Sequence, residues 1–154
     1  MRERWLSVGV LAGVLFGINV AARLVARFAF GDDAEVQDRI SLGMFAAIGL
    51  VLATLAFLRG QRRPLPDWGG EMALAVLVAM LLTVFVGPFV SGSQPFASGA
   101  GAFFSQIWLY AGFTLGGVLV GYLLLTAFGR DYRSRSLKRY AEAKQSKPRR
   151  VVRR

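Results

Sequence analysis

FFSQIWLYAGFTLGGVLVGYLLLTAF, residues 103–128, runs for 26 positions without an acidic or basic side chain. At about 1.5 Å per residue a helix needs roughly 20 residues to cross a hydrocarbon core of about 30 Å, so this stretch is long enough to span a bilayer. Three more runs read the same way. Ile40–Leu58 and Met72–Val90 each hold 19 uncharged residues, and Trp5–Ala22 holds 18 before Arg23 interrupts it. The 154 residues are 55% hydrophobic and 18% charged, with the charges gathered into short blocks between the apolar runs, which is membrane-protein composition. The sequence therefore predicts an all-α integral membrane protein. It is a four-transmembrane-helix bundle over 1–128, with helices at about 5–28, 40–58, 71–90 and 103–128, followed by a basic tail over 129–154.

Arg2 and Arg4 ahead of an apolar stretch also describe the start of a signal peptide. Such a peptide has an apolar core of about 7–15 residues and a small-x-small cleavage site. Here the run is longer, and Val20-Ala21-Ala22 is followed at once by Arg23, so an uncleaved first helix is expected.

Lys and Arg near helix ends resist translocation, while acids count for little. With four spans, the N-terminal segment, the connection RGQRRPLPDWGGE and the tail share one face, which carries 16 of the 19 basic residues. Both termini are therefore expected in the cytoplasm, with the plasma (cytoplasmic) membrane as the location. The opposite face would carry the acidic loop GDDAEVQDR, with Asp32, Asp33, Glu35 and Asp38, and the uncharged loop GPFVSGSQPFASGAGAFFSQ. In the latter Phe89, Phe96, Phe103 and Phe104 alternate with Gly, Ser and Pro, as suits a connection lying on the interface.

Lipid gives no hydrophobic drive for helices to associate, so close approach at small residues must supply it. The first helix has Gly9, Gly13, Gly17 and Ala21 at four-residue spacing. The fourth has Gly112, Gly116, Gly117 and Gly121 in two overlapping GxxxG patterns. These two helices are expected to pair. PLPDWGG, residues 64–70, reads as turn chemistry, and Trp5, Trp68 and Trp108 fall near predicted helix ends as interfacial anchors.

The chain has no Cys and no His, which removes disulfides, zinc sites of the usual type, histidine-ligated haem and iron–sulfur clusters. No cofactor and no metal are expected. The second, third and fourth apolar runs contain no carboxylate, whereas small four-helix proton-coupled antiporters need one inside the membrane. Ser91, Ser93 and Ser98 have no base nearby in sequence, and "VSGSQ" is not a nucleophile elbow. An enzyme is not expected.

Two polar features remain. Counting from Trp5 at about 1.5 Å per residue, Asn19 lies roughly 21 Å up, Arg23 roughly 27 Å and Arg27 roughly 33 Å, against a core of about 30 Å. They form one stripe, opposite Gly17 and Ala21. Asn19 should bond to another helix, while the arginines should end the helix, snorkel outward and balance the acidic loop. The tail carries eleven Lys or Arg against Asp131 and Glu142. Residues 130–146 are expected to form a helix stopped by Pro148, with a thin apolar strip at Tyr132, Leu137, Tyr140 and Ala141. Arg133, Arg135, Lys138, Arg139, Lys144, Lys147, Arg149 and Arg150 would then meet anionic lipid head groups or a partner; nucleic acid is not expected.

Two functions lead these readings, ahead of a membrane-anchored regulator that recruits cytoplasmic factors through residues 130–154. One is a non-catalytic accessory or scaffold subunit that packs in the lipid bilayer with another membrane protein. The alternative is a transport or channel component, a homo-oligomeric pore in which Arg23 and Arg27 select anions.

Overall fold

Inside a bilayer every unpaired backbone amide or carbonyl is costly, and helices satisfy these groups within a single segment. The computed structural model describes residues 2–30, 34–90, 92, 94, 96 and 99–145, and no strand occurs among them. The elements are α1 (Arg2–Phe30), α2 (Ala34–Arg62), α3 (Leu65–Leu81), a π-helical segment (Leu82–Val86), α4 (Gly87–Val90), α5 (Gly99–Ala127) and α6 (Tyr132–Gln145). Four segments are long and apolar enough to cross a membrane: Trp5–Ala29, Glu35–Arg62, Leu65–Val90 and the one that begins at Gly99.

The helices extend past the uncharged runs that predict them. A charged side chain at a helix end leaves the backbone ladder intact and needs only water or a head group to reach. On the first turns of α2, Glu35 and Arg39 pair one turn apart at 2.6 Å, an arrangement that supports the helix.

The segment 64–70 is corrected in the same sense. Pro64 is the cap of α3, in an extended conformation (φ −65, ψ 152), but Leu65 onward is helical, with Pro66 in the first turn. Proline is tolerated there because first-turn N–H groups have no intrahelical acceptor. Trp68 is then drawn inward. It is 2% exposed and approaches Gly60, where an added Cβ would lie 3.8 Å from its ring and would collide with Leu125. Trp5 and Trp108 stay outside, at 68% and 76% exposed.

The four spans pack as two interlocked parallel pairs. The closest contact joins α2 and α5. A Cβ at Gly117 would stand 2.8 Å from the Cα of Gly49, and one at Gly121 would stand 2.8 Å from the Cα of Ala53. Gly49-x3-Ala53 therefore meets Gly117-x3-Gly121 in parallel register, a small-on-small contact that lets backbones touch. The other pair is α1 with the third membrane segment: Ser7 Oγ donates to Glu71 Oε2 at 3.5 Å near one end, and Asn19 and Arg23 meet Gly87 near the other.

The expected pairing of the first and fourth helices is thus replaced by α2 with α5. The inner face of α1 carries Leu11, Leu15 and Asn19, too bulky for backbone contact. Its glycines point outward, with nothing within 4 Å of a Cβ at Gly9, Gly13 or Gly17, and Ala21 is exposed. The core between the pairs is built from Leu15, Ile48, Leu52, Ala56, Ala75, Ala79 and Tyr110, all completely buried. Phe45 sits edge-on to Tyr110 at 6.3 Å and stacks on Phe113 at 6.0 Å.

The fourth segment ends in a Schellman motif. Gly129 has φ 59, its N–H donates to Thr126 O at 2.9 Å, and Arg130 N–H donates to Leu125 O at 3.2 Å, which satisfies the last carbonyls. Asp131 then caps a new helix, accepting from Ser134 N–H at 3.2 Å. That helix, α6, has no buried residue and touches α2. Pro148, expected to stop it, lies outside the described residues.

Candidate functional site

Among the described residues, the third membrane segment departs from regular α geometry at Leu82–Val86. Pro88 has no N–H, and its ring would press on the carbonyl four residues earlier in an α-helix. The wider π turn at Leu82–Val86 relieves this, with Gly87 N–H reaching back to Leu82 O, and π segments of this kind often mark functional positions. On the same helix face Ala79 and Thr83 are completely buried, and Gly87 is buried.

The polar stripe of α1 meets this face. Asn19 is completely buried, and its Nδ2 donates to Met44 Sδ on α2 at 3.0 Å. Its Oδ1 accepts from Arg23 Nε at 3.0 Å, so Arg23 turns inward rather than outward as expected. A Cβ at Gly87 would come within 3.0 Å of both Arg23 Nε and Asn19 Oδ1, which makes glycine the residue that admits the pair. Arg27 is exposed, and its Nη1 reaches Val90 O at 3.4 Å, at the carbonyl end of the third segment where a cation is favourable. The stripe therefore ties α1 to the third segment and α2, with Asn19 bonded to another helix as expected, whereas the glycine stripe, expected to pack, faces away. Asp32 and Asp33, expected to balance these arginines, lie outside the described residues.

Two further hydroxyls share the interior. Thr83 Oγ1 and Tyr110 OH are buried without a hydrogen-bond partner among the described residues, and Tyr110 leans on Phe45, the neighbour of Met44 in sequence. Sequence reading missed Met44, Thr83, Gly87 and Gly49. Pro88 within an apolar run is the signal that could have flagged the irregular turn, and Gly49-x3-Ala53 the signal for the α2 contact.

At the same end of the bundle Phe96 stacks on Phe103 at 4.4 Å, and Phe103 meets Phe85 at 5.9 Å and Phe104 at 5.6 Å. Phe96 is thus held by an aromatic contact, and Phe89 is exposed. Ser91, Ser93 and Ser98 lie outside the described residues. No group of three His, Cys, Asp or Glu occurs among the described residues.

The outer faces carry the remaining candidates. Gly112 and Gly116 have nothing within 4 Å of an added Cβ. They line an open apolar groove between α2 and α5, with Ala46, Leu50 and Trp108. A second groove lies between α1 and α2, lined by Leu6, Val10 and Val14 on one side and Leu50 and Thr54 on the other, with Arg59 at one end. Of the tail residues, Arg133, Arg135, Lys138, Arg139 and Lys144 are exposed on α6, while Lys147, Arg149 and Arg150 lie outside the described residues. No family model, curated protein or solved structure matches the chain.

Proposed function

We propose that the protein is a non-catalytic accessory or scaffold subunit of a membrane complex. It sits in the plasma membrane with both termini in the cytoplasm and joins its partner through the outward face of α1. The observation that carries this reading is the division of labour among small residues. Gly49, Ala53, Gly117 and Gly121 are consumed in internal packing, whereas Gly9, Gly13 and Gly17 have open space beside them. A glycine in a helix interior sacrifices about 0.5–1 kcal/mol relative to alanine, and close helix–helix approach is the compensation such residues supply in a bilayer. The second groove, along Val10 and Val14, would receive the side chains that flank such a contact.

The arginines support the same reading. A pore selecting anions would use Arg23 and Arg27 at its mouth; in this chain Arg23 bonds Asn19, and Arg27, though exposed, reaches Val90. The cytoplasmic placement of the termini rests on the basic residues that cluster on one side of the bundle.

The test is purification of the tagged chain from native membranes in gentle detergent. The proposal expects a second membrane protein in fixed ratio, lost when Gly9, Gly13 and Gly17 are replaced by leucine. A homogeneous monomer, or a partner retained by that variant, would contradict it.

A further inference from the structure

The α2–α5 contact shapes the end of the bundle where α2 ends and α6 begins. Gly49 against Gly117 and Ala53 against Gly121 hold the two helices parallel, so the last turn of α2 and the start of the tail emerge side by side, and α6 touches α2. Arg59, Arg62 and Arg63 from one segment are thereby joined to Arg130, Arg133, Arg135, Lys138, Arg139 and Lys144 from another, more than sixty positions away in sequence. Nine basic side chains face four acids, Asp67, Glu71, Asp131 and Glu142. No residue of α6 is buried. The Schellman turn at Gly129 breaks the chain from the axis of α5 immediately where that helix ends.

The arrangement on α6 is two-sided. At 100° per residue Tyr132, Ser136, Tyr140 and Leu137 fall on one arc, with Arg133 and Lys144 inside it. Lys138, Arg135, Arg139 and Glu142 fall on the other. Tyr132, Leu137 and Tyr140 are all exposed. Aromatic side chains with a polar tip suit the head-group layer, and long basic side chains can bury their stems while keeping the charge in contact with phosphate.

We infer that α6 and the end of α2 form one basic platform that docks on the anionic surface of the bilayer, with the arc of Tyr132, Tyr140 and Leu137 turned toward the lipid. The occupant is a phosphate-bearing lipid surface because the platform lies at the membrane-proximal end of two spanning helices, where head groups are the nearest phosphates. Each basic residue close to such a surface favours docking about fivefold, the equivalent of about 1 kcal/mol. This inference needs only that the bundle spans a bilayer; it stands or falls without any protein partner.

The chain contains no cysteine, so single reporters can be introduced cleanly. Full-length Leu137→Cys and Lys138→Cys proteins are labelled with an environment-sensitive fluorophore and placed in nanodiscs of phosphatidylcholine, with or without phosphatidylglycerol. The inference expects the label at 137, but not at 138, to shift to the blue only when phosphatidylglycerol is present. High salt should reverse the shift. In the 137-labelled protein, Arg133→Gln combined with Lys144→Gln, the two basic residues inside the lipid-facing arc, should lower the docked-to-free ratio about twenty-five-fold. Equal emission in the two bilayers, or a shift unaffected by salt or by the two substitutions, would overturn it. So would a response to an added single-stranded oligonucleotide in pure phosphatidylcholine without a response to phosphatidylglycerol. Because the purified protein is used alone, failure here is separate from failure of the scaffold proposal.

Discussion

Gly121→Ala adds one methyl group and should separate two helices. An added Cβ at this position would lie 2.8 Å from both the Cα and the carbonyl carbon of Ala53, whereas carbon atoms rest at about 3.5–4.0 Å. The opposing atoms are backbone, which cannot rotate away, so α2 and α5 must part by about 1 Å. A radial gap of about 0.5–1 Å already forfeits a quarter to a half of each contact's attraction, and overpacking of this kind costs about 1–3 kcal/mol. Gly117→Ala meets the Gly49 backbone in the same way. Gly112→Ala and Gly116→Ala meet nothing within 4 Å and should be neutral or gain up to about 1 kcal/mol from reduced backbone freedom. Denaturant-induced unfolding of the monomer in mild detergent, followed by Trp fluorescence, would measure the difference. A gap of about 2 kcal/mol corresponds to roughly a thirtyfold change in the ratio of unfolded to folded protein. Equal losses at Gly112 and Gly121, or the greater loss at Gly112, would refute the parallel α2–α5 register.

Asn19→Leu should cost about 1–3 kcal/mol, since it strips Arg23 of the acceptor it uses. Arg27→Gln, at an exposed and long bond, should stay within about 1 kcal/mol; the same unfolding assay compares them, and equal effects would show that Asn19 is not the anchor. Thr83→Val and Tyr110→Phe each remove a buried hydroxyl without a partner and should leave stability unchanged or raise it; a loss above about 1 kcal/mol would mean that these hydroxyls are bonded in the native protein. The Asp131 carboxylate is held below its usual range by the Ser134 hydroxyl and then by the Ser134 backbone N–H. Its contribution to α6 is therefore present above the ordinary carboxylate pKa and lost as pH falls through the depressed value. Protection of the α6 amides against hydrogen exchange, relative to the intrinsic rate, should fall in acid for the native chain but show no such step in Asp131→Asn.

Hydropathy made the four spans legible because charge is costly in hydrocarbon, so runs such as Ile40–Leu58 and Met72–Val90 could hardly be anything else. Where the helices end was less legible. Charged residues and Pro66 bring no backbone penalty in a first or last turn, so α2 begins at Ala34 and α3 at Leu65. Partner choice was the least legible, because small residues at four-residue spacing occur on α1, α2 and α5 alike. Which stripe faces inward depends on what else its helix must bury, and Leu11, Leu15 and Asn19 turned α1 the other way. The inward turn of Arg23 accompanies that rotation, and Gly87 stands where a Cβ would come within 3.0 Å of Arg23 Nε and Asn19 Oδ1.

Site-specific crosslinking shows whether the small-residue face of α1 receives another protein. In a chain without cysteine, Gly13→Cys in native membranes, carrying a short thiol-attached photocrosslinker, should yield one covalent adduct of a single defined mass that differs from twice the mass of the chain. Recovery of uncrosslinked chain alone, with the introduced thiol fully modified by a lipid-soluble maleimide, would show that this face meets only lipid.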